Sequence, residues 1–80
     1  MSWKVYVIKS LVSNVRYVGM SEDIDRRISE HNAGKSKYTS GHVPWELLYF
    51  EEADSRLAAR AREKYLKSAA GRRFLDKILG

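Results

Sequence analysis

The chain has 80 residues, enough for one domain with a single modest core. It has no cysteine, which excludes disulfides and thiolate metal sites, and its 44% hydrophobic content with a single proline argues against disorder. Fifteen Lys+Arg against ten Asp+Glu leave a net charge of +5, which favours an anionic partner, most simply nucleic acid; the bland alternative, which charge alone does not separate from it, is a basic domain that is merely soluble.

Trp3 to Lys9, WKVYVIK, is rich in β-branched and aromatic residues and reads as a strand. Val15 to Met20, VRYVGM, reads as a second, and the turn formers Ser13 and Asn14 between them predict a hairpin. Ser21 or Asp23 can cap a helix from Ile24 to about Ala33, with Gly34 as its stop. KSKYTSGHVP is polar, contains glycine and ends in Pro44, so it reads as a loop. Trp45 to Glu51, WELLYFE, is apolar on both parities and predicts a strand covered on both faces. Asp54 or Ser55 then caps a long helix from Arg56 to about Ala70, Gly71 interrupts, and RRFLDKIL forms a short last helix. The order ββαβαα predicts an α+β fold, a three-stranded antiparallel sheet flanked by helices, in one domain spanning 1–80. No apolar run approaches the roughly 20 residues of a membrane span. The N-terminus lacks a signal-peptide layout, so a cytoplasmic location and no membrane partner are expected.

Four features stand out. At about 100° per residue, Ile28 lies about 40° from Ile24, His31 about 340° and Arg27 about 300°, so Arg27 and His31 border the stripe that faces the sheet. An ordinary packing role explains both, with Arg27 snorkelling along the edge and His31 half-buried. In an antiparallel hairpin with an even loop, Tyr6 and Tyr17 share one face; a Ser10–Ser13 loop would oppose them directly. Gly19 weakens its strand unless something approaches the backbone closely there. On the long helix, Leu57, Ala58, Ala61, Tyr65 and Ala69 form one apolar face. Periodicity therefore puts Glu63 on the opposite, solvent side in an i,i+4 pair with Lys67.

These stretches together resemble the GIY-YIG nuclease domain, in particular its small stand-alone bacterial members. Lys4-Val5-Tyr6 stands for the first motif and Tyr17-Val18-Gly19 for the second; DIDRRISEHN and AREKYLK follow in order. The resemblance implies cleavage of DNA phosphodiester bonds with a divalent cation. It makes Tyr6, Tyr17, Arg27 and His31 catalytic, Glu63 the metal ligand, and Gly19 part of the structural motif. A single carboxylate ligand suits Mg²⁺, with Mn²⁺ as the other candidate. Lys4 stands where the family has glycine, and Val5 where it has isoleucine. No asparagine follows Asn32, although many members carry one late in the domain.

The expected activity is thus a metal-dependent DNA endonuclease that selects by DNA structure, with a protein partner as a further source of specificity. Lys35, Lys37, Arg72 and Arg73 are candidate DNA contacts, because long basic side chains there can reach phosphates. The competing readings are a catalytically weak nucleic-acid-binding module of the same fold and a protein-interaction domain with an incidental basic surface.

Overall fold

A computed structural model describes residues 2–79 of the chain. Three strands, β1 (Trp3–Ser10), β2 (Arg16–Ser21) and β3 (Trp45–Ala53), form one antiparallel sheet in the order β2-β1-β3. Three helices follow the expected places: α1 (Ile24–Asn32), α2 (Arg56–Lys67) and α3 (Ala69–Leu79). The predicted ββαβαα order and α+β class are those of the structure. The segment read as a loop carries a short 3₁₀ turn at Thr39–His42.

Being central, β1 is covered on both sides, and Val5, Tyr6, Val7 and Ile8 are all buried. Val5 and Val7 pack with Val18, Ala59, Leu66 and Leu75 beneath α2 and α3. Tyr6 and Ile8 pack with Ile24 and Trp45, and with Tyr17 and Ile28, beneath α1. The core is therefore two thin layers separated by the sheet, which suits so short a chain.

The strand expected to be covered on both faces is instead β3, an edge strand with Leu47 and Phe50 exposed. Val7 pairs with Tyr49 and Ile8 with Leu47, so Leu48 bulges out of the ladder. The bulge flips the facing parity halfway along β3, and that is why its sequence is apolar on both parities. The hairpin register also differs from the direct Tyr6–Tyr17 opposition: Tyr6 opposes Gly19, and Ile8 opposes Tyr17. The shift preserves parity, so both tyrosines still lie on the α1 face.

The helix ends follow local chemistry. The Asp23 carboxylate accepts from the Arg26 amide and caps α1, and Ser55 does the same for α2 through the Ala58 amide. Gly34, at φ 80°, takes the left-handed conformation that ends α1. Gly71 does not interrupt the last helices; the break falls at Ser68, whose hydroxyl accepts from the Gly71 amide. A Cβ on Gly71 would lie 2.0 Å from the Tyr65 carbonyl oxygen, so glycine here lets α3 start against the end of α2.

The phase predicted for α2 is overturned. Leu57 is 82% exposed, and Ala58, Ala61 and Tyr65 also face solvent. The face turned to the sheet is Ala59, Arg62, Glu63 and Leu66, spaced i, i+3, i+4, i+7. Periodicity rejects that stripe because two of its four members are charged. The tertiary structure accepts it because each has a partner: Arg62 grips Glu51 through two hydrogen bonds of 2.8 and 3.0 Å, and Glu63 pairs with Lys67 at 3.2 Å.

Candidate active site

Tyr6 projects from the central strand towards α1, and its ring lies across Gly19 of the neighbouring strand. A Cβ on Gly19 would sit 2.4 Å from the Tyr6 hydroxyl oxygen and 2.6 Å from Cζ. This close approach is the reason for a glycine in β2. The hydroxyl of Tyr6 then meets His31, which α1 delivers to the sheet and which is fully buried.

A directed chain of hydrogen bonds begins there. Tyr6 Oη lies 3.0 Å from His31 Nε2, and His31 Nδ1 lies 2.8 Å from Thr39 Oγ1. Thr39 Oγ1 in turn donates to the Ser36 carbonyl at 3.5 Å. A carbonyl only accepts, so it orients the series: Thr39 accepts from Nδ1–H, and Nε2 accepts from the tyrosine hydroxyl. Thr39 is held in place from its other side by Trp45, whose indole N–H donates to the Thr39 carbonyl at 2.9 Å. Asn32 ties α1 to the start of β3, accepting from the Trp45 amide at 2.6 Å and donating to its carbonyl at 3.2 Å.

Electrostatics follow from this burial. Loss of solvent pushes the Tyr6 phenol up to about 12, although the Arg27 guanidinium pulls the other way. Burial also pushes His31 below the ordinary imidazole value, and the nearby Arg27 charge adds to the effect. Near neutral pH the pair is therefore a protonated phenol donating to a neutral imidazole. Arg27 is half-buried and oriented by Glu30, to which it donates at 2.9 Å. That contact is the main reason its guanidinium holds its proton more tightly than usual.

Tyr17 stands beside this chain, its ring 5.2 Å from the His31 ring in an edge-on arrangement. It lies on edge strand β2, and here the two faces of the sheet meet. Lys67 comes from α2, on the opposite face, and its ammonium lies 5.7 Å from the Tyr17 ring centroid. Glu63, one turn earlier, is 8% exposed and pairs with Lys67 at 3.2 Å and Arg60 at 3.7 Å. The residues predicted from sequence thus gather around β1 and β2: Tyr6, Tyr17, Arg27 and His31 on the α1 face, Glu63 on the α2 face.

Lys35 and Lys37 are exposed on the segment after α1, and Arg72 and Arg73 on the first turns of α3. Arg72 shares a groove with Tyr17 and Lys67, whereas Arg73 is not among the residues lining it. Sequence reasoning missed Thr39 and Lys67. Thr39 sits in an irregular segment with no periodicity to read, and Lys67 was seen only as a partner for Glu63.

Among the described residues no three His, Asp or Glu side chains gather into a metal cluster. Glu63 offers one largely buried carboxylate whose present partners are exposed, movable cations. That donor set fits an ion such as Mg²⁺, which keeps several waters and takes one or two carboxylates plus substrate oxygens. It does not suit a zinc site built from three or four protein donors.

Two tyrosines thus lie on a small antiparallel sheet, with a histidine and an arginine from α1 beside them and the Glu63 carboxylate carried by α2. The sequence matches the GIY-YIG catalytic domain over residues 2–75, and the chain belongs to that family. The superfamily is one of nucleases that act on DNA and generally use divalent metal ions. Its relatives include a UPF0213 protein of Haloquadratum walsbyi, 43% identical over 65 residues, covering 80% of this chain and 72% of that protein. Another, from Clostridium perfringens, is 35% identical over 75 residues, covering 92% of this chain and 80% of that protein. The solution NMR structure of the UPF0213 protein BH0048 from Bacillus halodurans superimposes with a TM-score of 0.58 at 31% identity. The match covers 100% of this chain and 87% of that one. No helix of the described residues is long and apolar enough to cross a membrane.

Proposed function

We propose that this chain is a single-domain, cytoplasmic DNA endonuclease that uses Mg²⁺, with Mn²⁺ as a substitute, and selects by DNA structure rather than sequence. The observation that carries the reading is the Tyr6–His31–Thr39 chain beside Arg27, with Glu63 paired to the lysine that lies over the Tyr17 ring.

A divalent cation held by Glu63 would polarise the phosphate and stabilise the leaving oxygen. The remaining chemistry belongs to the chain itself. A phenol whose pKa is about 12 is not ionised at neutral pH, so Tyr6 does not rest as a base. Its oxygen can take a proton from the attacking water while its own proton passes to His31 Nε2, 3.0 Å away. Burial and Arg27 both disfavour an imidazolium at His31, so this transfer accompanies attack rather than preceding it. Arg27, already aimed by Glu30, turns its guanidinium to the charge developing on the phosphorane. Tyr17 is only partly buried and lines an open groove, where its hydroxyl can meet water or a phosphate oxygen.

The lack of a late asparagine favours one other reading, a nucleic-acid-binding module with feeble catalysis. One experiment separates them: a panel of labelled duplex, nicked, branched and single-stranded DNAs incubated with Mg²⁺, Mn²⁺ or EDTA. Wild type should cut at least one structure only with metal. Glu63→Gln should keep its fold and bind DNA but cut nothing. Its partners Lys67 and Arg60 are half or more exposed, so water can solvate them once the pairs are lost. Cleavage by the Gln variant at the wild-type rate would remove Glu63 from the site, and metal-independent or absent cleavage by wild type would leave the binding module.

A further inference from the structure

We infer that the groove beside Tyr17 is a subsite for an unpaired nucleobase, with Tyr38 as its stacking platform and Arg72 at the adjoining phosphate. The inference rests on the nuclease reading for its position next to the cleavage site and names the substrate class of that site: a strand that is single at the cut.

The groove has a volume of about 450 Å³, within the range of clefts that hold one small ligand. Tyr17, Tyr38, Leu66, Lys67, Arg16 and Arg72 line it. Tyr38 is 55% exposed, so much of its ring is open to solvent at the groove. The ring stacks on Tyr17, the centroids 6.0 Å apart and the planes 30° from parallel, and the His42 ring lies tilted against it at 5.4 Å and 42°. The exposed remainder of the ring gives a base a second layer on which to continue the stack. The cations on the lining differ in their commitments. Arg16 is paired with Asp76, and Lys67 is held by Glu63, whereas Arg72 is exposed with no acidic partner among the described residues. An aromatic face beside a cation is the arrangement by which proteins hold single strands, since every base has a π-face and every linkage a charge. A paired base has both faces occupied by its neighbours, so a duplex cannot use Tyr38 without extruding a nucleotide. The exposed Lys35 and Lys37 precede the tyrosine in sequence and add positive charge to the segment.

The test measures binding in EDTA, so that catalysis plays no part. Labelled oligothymidine, oligouridine and a mixed-sequence duplex of equal length are titrated at one salt concentration with wild type, Tyr38→Leu and Tyr38→Trp. Leucine keeps an apolar cover over Tyr17 but offers no ring, and thermal melting confirms that each variant is folded. Tyr38→Leu should weaken single-strand binding about tenfold and duplex binding less than about twofold. Tyr38→Trp should match or exceed wild type on single strands. Equal losses on single strand and duplex, or no loss on either single strand, would overturn the subsite. If Tyr38→Leu fails to fold, Tyr38→Trp decides: single-strand affinity several-fold below wild type refutes stacking, and affinity at or above wild type supports it. Wild-type cleavage with Mg²⁺ is scored separately. A protein that cuts nothing yet shows the Tyr38 effect keeps the subsite and loses the nuclease reading; the reverse pattern does the opposite.

Discussion

Replacing Gly19 by alanine tests the geometry at the centre of the site. Gly19 lies in a strand and outside the left-handed region, so the backbone alone would tolerate alanine. The chain-entropy effect of such a change is a gain of about 0.4–1 kcal/mol. The structure predicts the opposite sign. The new Cβ would lie 2.4 Å from the Tyr6 hydroxyl oxygen, whereas ordinary contact begins at 3.4 Å, so the ring tip must move by about 1 Å. The ring is not free to do so. Tyr6 is 1% exposed and its hydroxyl is held by His31 at 3.0 Å. Overpacking of this kind costs about 1–3 kcal/mol, which leaves a net loss of about 1–2 kcal/mol. For a domain of this size the melting temperature should fall by roughly 4–16 °C. Cleavage should fall further, by about 100-fold, because a 1 Å misplacement of a positioning group acts on the transition state. Calorimetry with Gly19→Ala, and with Gly19→Ala combined with Tyr6→Phe, checks the cause. Removing the hydroxyl relieves the shortest contact but not the one to Cζ, so the double variant should recover only part of the loss. An unchanged or raised melting temperature in Gly19→Ala, with activity intact, would refute the packing of Tyr6 on Gly19.

Gly71→Ala should be more severe, because its Cβ meets the Tyr65 carbonyl and Leu66 Cα, backbone atoms that no rotamer change can move; a loss of about 3 kcal/mol or more is expected in denaturant melts. His31 is held below its ordinary value when folded, so below about pH 6.5 the unfolded chain binds the extra proton and the native state does not. Stability should therefore be full above that pH and decline as pH falls through it, and His31→Gln should flatten the decline in melts at pH 5–8. Replacing Lys35 and Lys37 together by alanine should reduce the log–log salt slope of duplex binding by up to about 1.8, the amount for two phosphates, and an unchanged slope would free them of that role.

Much of the architecture was legible in the residues, and the reasons are local. Strand period, turn formers and caps are short-range properties, so WKVYVIK, Asp23, Ser55 and Gly34 announced their elements. Parity is also local, and it is independent of a one-pair slide in hairpin register, such as the one that puts Tyr6 opposite Gly19 rather than Tyr17. Arg27 and His31 were found at the border of the α1 stripe because one helix turn relates them to Ile24 and Ile28.

Long-range pairing was not legible. The two-parity apolar pattern of β3 came from a bulge at Leu48, which depends on how the strand registers with β1. Glu63 was put on the wrong side of α2 because a charged residue is costly to bury until its partner is known. Burial of Ala59 and Leu66 beneath the sheet set the rotation of the helix, and Lys67 and Arg60 supplied the partners for Glu63. The site is assembled the same way. Tyr6 and His31 are 25 residues apart, and Thr39 comes from a segment without periodic structure; only folding brings the three hydrogen-bonding groups within 3.0 Å of one another in series. Local chemistry thus sets which elements form, whereas burial across the sheet sets which faces meet and which polar groups can be enclosed.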